Sequence, residues 1–176
     1  MKQITKDIVA QYKFCFICGS KLKYNQANSF TCTGCGFNFY VNPTFCTAAI
    51  LENEKGEILL VKRKLEPKKG YWDSPGGFVD LEESVEEGMV RELKEELGLD
   101  IKEIKYFKSY SDTYFWDGIN FATIGLTYIA KINSQEKMTA TDDVAGFKFF
   151  KKEEIPLDEI GFESFKQALS DYISSE

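Results

Sequence analysis

Residues 77–99 read GFVDLEESVEEGMVRELKEELGL, and the fold turns on how this stretch is taken. Val85, Met89, Leu93 and Leu97 step by four with Val90 beside them, the spacing of one apolar helix face that can dock on a sheet. Gly98 follows the last apolar residue, where a left-handed conformation ends a helix. On such a helix Glu92, Glu95 and Glu96 share a face, at positions three and four apart. Carboxylates so crowded repel one another and weaken the helix. A hard divalent cation, Mg²⁺ or Mn²⁺, removes the conflict, because it prefers carboxylate and water oxygens completed by substrate phosphates. The alternative is an ordinary amphipathic surface helix with solvated glutamates. Ser74-Pro75-Gly76-Gly77 precedes it, a loop in which backbone can approach a ligand closely. The combination points to a metal site for phosphate chemistry.

Every fixed position of one known pattern is met by Gly77, Glu83, Arg91, Glu92, Leu93, Glu95, Glu96, Gly98 and Leu99. On these residues the chain resembles the Nudix hydrolases. The resemblance implies hydrolysis of a nucleoside diphosphate linked to another moiety. It implies an α/β (α+β) fold, an αβα sandwich around a mixed β-sheet with the box as loop, helix and loop. Strand-like runs sit where that fold needs them, at Phe45 to Leu51, Ile58 to Arg63, Phe121 to Ile132 and Gly146 to Phe150. A helix repeat at Phe162, Phe165, Ala168, Leu169, Tyr172 and Ile173 closes the domain.

The same resemblance implies roles. Glu92 and Glu96 ligate Mg²⁺ or Mn²⁺, Glu95 is a ligand or base, and the Gly77 carbonyl completes the shell. Glu83 and Arg91 join the catalytic group as orienting partners, since an arginine–carboxylate pair can lock the loop against the helix. One glutamate, or a later carboxylate such as Asp142 or Asp143, takes the proton of the attacking water. The pyrophosphate link resists attack through its own negative charge, so metal neutralisation and positioning carry the chemistry.

The amino-terminal part reads differently. Cys15-Phe16-Ile17-Cys18 and Cys32-Thr33-Gly34-Cys35 are two CxxC pairs separated by thirteen residues. Four thiolates in that arrangement suit tetrahedral Zn²⁺, and the chain has no histidine to offer instead. Disulfides or a redox pair are the competing readings. The start of the chain shows no apolar signal-peptide core, so a reducing cytoplasmic setting is expected, which favours structural zinc. Cys46, alone in an apolar run, reads as a small buried side chain. The expected division is a zinc ribbon at 1–42 and a Nudix domain at 43–176.

Among 176 residues, 43% are apolar, enough for one sizeable core and an appendage, and no apolar run is long enough to span a membrane. Net charge is −6, but Lys2, Lys6, Lys13, Lys21 and Lys23 against Asp7 leave the first 45 residues basic. Phe30, Phe37, Phe39 and Tyr40 in that part either fill a minute core or stack on bases. Five lysines are a thin footprint for nucleic acid, so a core is the favoured reading and no nucleic-acid partner is expected. Expected partners are a small-molecule nucleotide and, as an open oligomeric state, a second copy in a homodimer.

A ribbon ahead of a Nudix domain resembles the NADH pyrophosphatases and the zinc-ribbon enzymes of the FAD and ADP-ribose type. The stretch Glu154 to Phe162 resembles the latter group. The Ser-Gln-Pro-Trp element of the NADH enzymes is missing, with Lys108 to Trp116 lacking any Gln-Pro-Trp. FAD, ADP-ribose or a similar dinucleotide or nucleotide sugar is therefore the expected substrate class, ahead of nucleoside triphosphates. A non-catalytic nucleotide sensor or nucleic-acid-binding module is the alternative outside enzymes, though a sensor needs no three repelling glutamates.

Tyr114, Phe115 and Trp116, with Tyr110 in the same cluster, either contact the substrate by sandwiching an adenine or flavin ring or form a hydrophobic cover over the sheet. Asp112 and Asp117 interrupt these aromatics, which suggests a surface loop. Trp72 reads as core. Arg63, near Lys64, Lys68 and Lys69, is either a phosphate contact or a solvated strand end.

Overall fold

The computed structural model describes residues 3–134 and 137–175. The chain divides into two units, one comprising Met1–Pro43 with Thr113–Ala122, the other Thr44–Asp112 with Thr123–Glu176.

In the first unit a short helix, α1 (Gln3–Val9), precedes three antiparallel strands, β1 (Leu22–Tyr24), β2 (Ser29–Cys32) and β3 (Asn38–Tyr40). Ile8, Phe30 and Val41 are its buried core, packed by Tyr12, Leu22, Tyr24 and Phe39. Phe30 and Phe39 thus take the core role expected of them, while Phe37 and Tyr40 are exposed. The Gln11 amide reaches residue 120, donating to the Asn120 carbonyl at 3.0 Å and accepting from its N–H at 2.7 Å. That tether gives the unit a second, distant stretch of chain.

In the second unit Thr44–Glu52 is β4, Ile58–Arg63 β5, Trp72–Asp73 β6 and Val144–Phe150 β9, while Lys105–Trp116 and Ile119–Lys131 are β7 and β8, which belong to it except at Thr113–Ala122. They form a six-stranded sheet in the order β6-β5-β4-β8-β7, with β9 on β5. β4 and β8 run parallel from Thr44↔Thr123 to Glu52↔Lys131, whereas β5 is antiparallel to β4, β6 and β9. The sheet is therefore mixed. Its strands are apolar on both faces, as a doubly covered sheet requires. Ala49, Leu51, Leu59 and Val61 pack with Met89, Leu93 and Leu97 of the helix α2 (Val85–Leu97). Ile50, Ile58 and Leu60 pack with Phe165, Ala168, Leu169 and Tyr172 of α3 (Glu163–Ser174). Helix, sheet and helix form the expected sandwich.

Two sequence expectations need correction. The aromatic stretch at 110–116 is not a loop but the outer half of β7. Its aromatic side chains have high strand preference, and Asp117 (φ 47°) with Gly118 (φ 81°) makes a two-residue turn into β8. Asp112 is no interruption either, since its carboxylate accepts from Ser164 N–H at 3.0 Å and caps α3 from another strand. Arg63 is not a solvated strand end. Its side chain is 15% exposed, pairs with Asp73 at 3.0 Å and donates to the Pro67 carbonyl at 2.8 Å.

Among the described residues, no helix is long and apolar enough to cross a membrane.

Candidate functional site

Helix α2 starts at a capping box. The Ser84 hydroxyl accepts from Glu87 N–H at 3.2 Å, and the Glu87 carboxylate accepts from Ser84 N–H at 2.7 Å. It stops at Gly98, whose φ of 73° turns its N–H back onto the Leu93 and Lys94 carbonyls. Between these fixed ends, burial of Met89, Leu93 and Leu97 leaves the glutamate face turned toward the loop 74–80.

Arg91 organises that face. Its guanidinium donates to Glu83 twice, at 2.7 and 3.1 Å, to Glu92 and Glu95 at 2.9 Å each, and to the Phe78 carbonyl at 3.0 Å. The forked pairing with Glu83 binds loop to helix and holds the Glu83 carboxyl below its usual range. Glu83, Arg91, Glu92 and Glu95 are thereby brought together.

Glu96 stands apart from Arg91. It is 4% exposed, and its carboxylate accepts from Gly76 N–H at 2.8 Å. Burial, with the charges of Asp143 and Glu92 added, pushes its carboxyl up to about 9. Glu92 is also raised, by burial first, against the pull of Arg91. The loop reaches these carboxylates because it has no side chains there. A Cβ at Gly77 would lie 2.5 Å from Glu92 Oε1, and one at Gly76 (φ 135°) 2.3 Å from the Thr47 carbonyl oxygen. The Gly77 carbonyl accepts from Thr47 N–H at 2.8 Å and, more weakly, from the Thr47 hydroxyl at 3.4 Å.

The cysteines form a separate cluster. The sulfurs of Cys15, Cys18, Cys32 and Cys35 all lie within 4.8 Å of one another. Each CxxC pair folds as a tight turn, with Gly19 N–H on the Cys15 carbonyl and Gly36 N–H on that of Cys32. Amides of Ile17, Gly34 and Cys35 point at sulfur, at 3.3 to 3.4 Å. Four sulfurs with N–H donors behind them fit Zn²⁺. Cys46 is partly buried on β4, and burial lifts its thiol to about 11, as an inert structural thiol would be.

The remaining sequence candidates are scattered. Tyr114, Phe115 and Trp116 belong to the first unit, Phe115 and Trp116 being exposed. Tyr110 is buried and its hydroxyl donates to Asp171 of α3 at 2.9 Å. Trp72 packs into the α3-side core. Arg63 is engaged by Asp73, whose own buried carboxyl is raised to about 6.

A family model described as NUDIX domain matches residues 43–169. Over 153 residues the chain is 32% identical to a protein from Haemophilus influenzae described as NAD-capped RNA hydrolase NudC, covering 85% of this chain and 54% of that one. It is 35% identical over 120 residues to an ADP-ribose pyrophosphatase from Methanocaldococcus jannaschii, covering 68% and 69%. The chain thus spans about half the length of the NudC relative. A crystal structure of a NUDIX hydrolase from Nitrosomonas europaea superposes with a TM-score of 0.70 at 25% identity, over 93% of this chain and 92% of the other.

Proposed function

This chain belongs to the NUDIX family, and on that premise we propose that it hydrolyses the diphosphate link of a dinucleotide or nucleotide sugar such as FAD or ADP-ribose, with Mg²⁺ or Mn²⁺. The observation that carries the reading is an imbalance of charge. Arg91 is shared among Glu83, Glu92 and Glu95, while Glu96 is buried with one backbone donor and Asp143 and Glu92 as charged neighbours. A buried carboxylate so placed is costly unless a cation joins it. The donor set is all oxygen, which suits a hard divalent ion.

Glu92, Glu95 and Glu96 would hold the cation, and the Gly77 carbonyl would complete the set by giving up its long contact with the Thr47 hydroxyl. The bound ion would neutralise the phosphates and acidify a water. Arg91 and Glu83 fix the loop against α2, so that the donors keep their spacing as substrate arrives. Glu95, the most exposed of the three, with 48% of its side chain accessible, is suited to accept the proton of the attacking water. Asp143 is the other candidate. The four cysteines would hold one structural Zn²⁺, in the reducing cytoplasm.

Substrate choice rests on the relatives. An ADP-ribose pyrophosphatase and a hydrolase of NAD-capped RNA both take substrates in which a diphosphate joins an adenosine to another group. Arg63 is proposed to act through Asp73 rather than on phosphate directly.

A panel of FAD, NADH, ADP-ribose and nucleoside triphosphates, each with Mg²⁺ or Mn²⁺, tests the reading. Release of a nucleoside monophosphate from a dinucleotide or ADP-ribose is expected. Faster turnover of triphosphates would shift the assignment to a triphosphate pyrophosphatase, and no turnover of any member would leave a nucleotide sensor.

A further inference from the structure

The segment 139–143, between β8 and β9, has no regular structure, yet it is fastened on two sides. On one side it covers the end of α2. Thr139 N–H donates to the Leu97 carbonyl at 3.2 Å, Thr141 N–H to that of Glu96 at 3.0 Å, and the Thr141 hydroxyl to that of Glu95. These are the last-turn carbonyls that a helix leaves without internal partners. On the other side lies Lys64, just past β5. Its N–H donates to the Asp143 carbonyl at 2.8 Å and its ammonium to the Asp142 carbonyl at 2.9 Å. Between the fastenings the chain turns through Asp142 at φ 52°, a left-handed conformation that aspartate tolerates better than most residues. Val144 N–H closes the turn on Thr141 at 3.0 Å.

What the turn delivers is the Asp143 carboxyl, whose charge acts on the side chain of Glu96. Its charge also acts on Glu92 and on Asp73. One strap therefore fixes both the helix turn that carries Glu95 and Glu96 and a further carboxylate facing it.

We propose that Lys64 is a positioning residue that grips the Asp142 and Asp143 carbonyls and so presents the Asp143 carboxylate to Glu96, as a further donor for the divalent cation. The inference rests on the metal-dependent reading of the site. It distinguishes Lys64 from Lys68 and Lys69, which share its charge and its loop but, among the described residues, do not hydrogen-bond this segment.

The test is Mn²⁺ binding to the full chain, followed by electron paramagnetic resonance without any substrate. Lys64→Met keeps the backbone bond and removes the ammonium. It should weaken Mn²⁺ binding about tenfold, the usual loss when a group that orients a ligand is removed. Lys64→Arg should recover most of that loss. Asp143→Asn should weaken binding as well, and Lys64→Met added to it should cost nothing further, because both act through one carboxylate. A lysine that acted only by its charge would repel the cation, so its removal would tighten binding. Tighter or unchanged binding in Lys64→Met, or losses that multiply in the double variant, would overturn the proposal, as would a wild-type protein that takes up no Mn²⁺. A wild-type protein that binds Mn²⁺ but cleaves no diphosphate would defeat the hydrolase reading alone, and the binding cycle would still decide the role of Lys64.

Discussion

In the function proposed above, the two units would hold a cation in opposite ways. The first has a buried core of Ile8, Phe30 and Val41, far too little to order its three short strands alone, and its four sulfurs converge within 4.8 Å. There the ion would hold the fold. The second buries apolar side chains on both faces of a six-stranded sheet, and that scaffold forces Glu92 and Glu96 into a place where their charges are unfavourable. There the fold would hold the ion. A carboxylate cluster can be tolerated only on a scaffold with stability to spare, whereas a thiolate cluster can serve as the scaffold.

The sharpest way to break this comparison is to take the zinc away. One zinc per chain is expected, and stripping it should unfold the first unit, since structural zinc contributes about 10–16 kcal/mol in small fingers. Hydrogen exchange should then speed up in β1 to β3 while β4, β5 and α2 stay protected. Equal loss in both sets would mean that the units are not energetically separate.

Next in size is Glu96→Gln, which removes a donor with little change in volume. Turnover should drop more than a hundredfold, ~2.7 kcal/mol of barrier, with the circular dichroism spectrum kept. Turnover within threefold of wild type would show that Glu96 is not a ligand.

A subtler effect is expected in the absence of divalent ions. The Glu96 carboxyl is raised in the fold from 4.5 to about 9, so folding favours its protonated form. That contribution is full below pH 4.5 and is lost as the pH climbs through 9. Glu96→Gln imitates the protonated form. Metal-free variant should melt above metal-free wild type near pH 9, and Mn²⁺ should reverse their order. A wild type that melts higher in both conditions would contradict the charge imbalance on which the site is argued.

The smallest effect concerns the scaffold alone. Ser84→Ala removes the capping hydroxyl and should cost ~1 kcal/mol by chemical denaturation, leaving zinc content unchanged. A loss of zinc on this substitution would couple the units after all.

How much of this was readable beforehand follows from how local each cause is. The span of α2, its stop at Gly98 and the strand at Ile58–Arg63 depend on neighbours within a few residues, and the periodicity shows them. The box residues were legible because the whole set lies in one loop and one helix. The capping box was equally local, Ser84 three residues ahead of Glu87, but it went unread beside the glutamate face. At β7 the reading failed on Asp112 and Asp117. One aspartate caps a helix that begins fifty residues later, which no local rule reports. The other opens an Asp-Gly hairpin turn, whose two-residue signal is local and looks like that of a longer loop. Arg63 looked solvated because its partner Asp73 sits on another strand. Asp143 was named only as one of two late carboxylates, since the strap that presents it is built from residues 64, 95, 96 and 141.

The parallel pairing at the centre of the sheet carries a last consequence, for the order of assembly. Glu52 and Lys131 are register partners at the end of that pairing and stand 79 residues apart. The loop, the box helix and the outer strand of the hairpin are all made between them. On a ribosome, β4 emerges with its main partner still unsynthesised, while the β7–β8 hairpin can zip locally as soon as it appears. Contacts this distant in sequence make for slow folding, and until β8 arrives the apolar edge of β4 stands open to other chains.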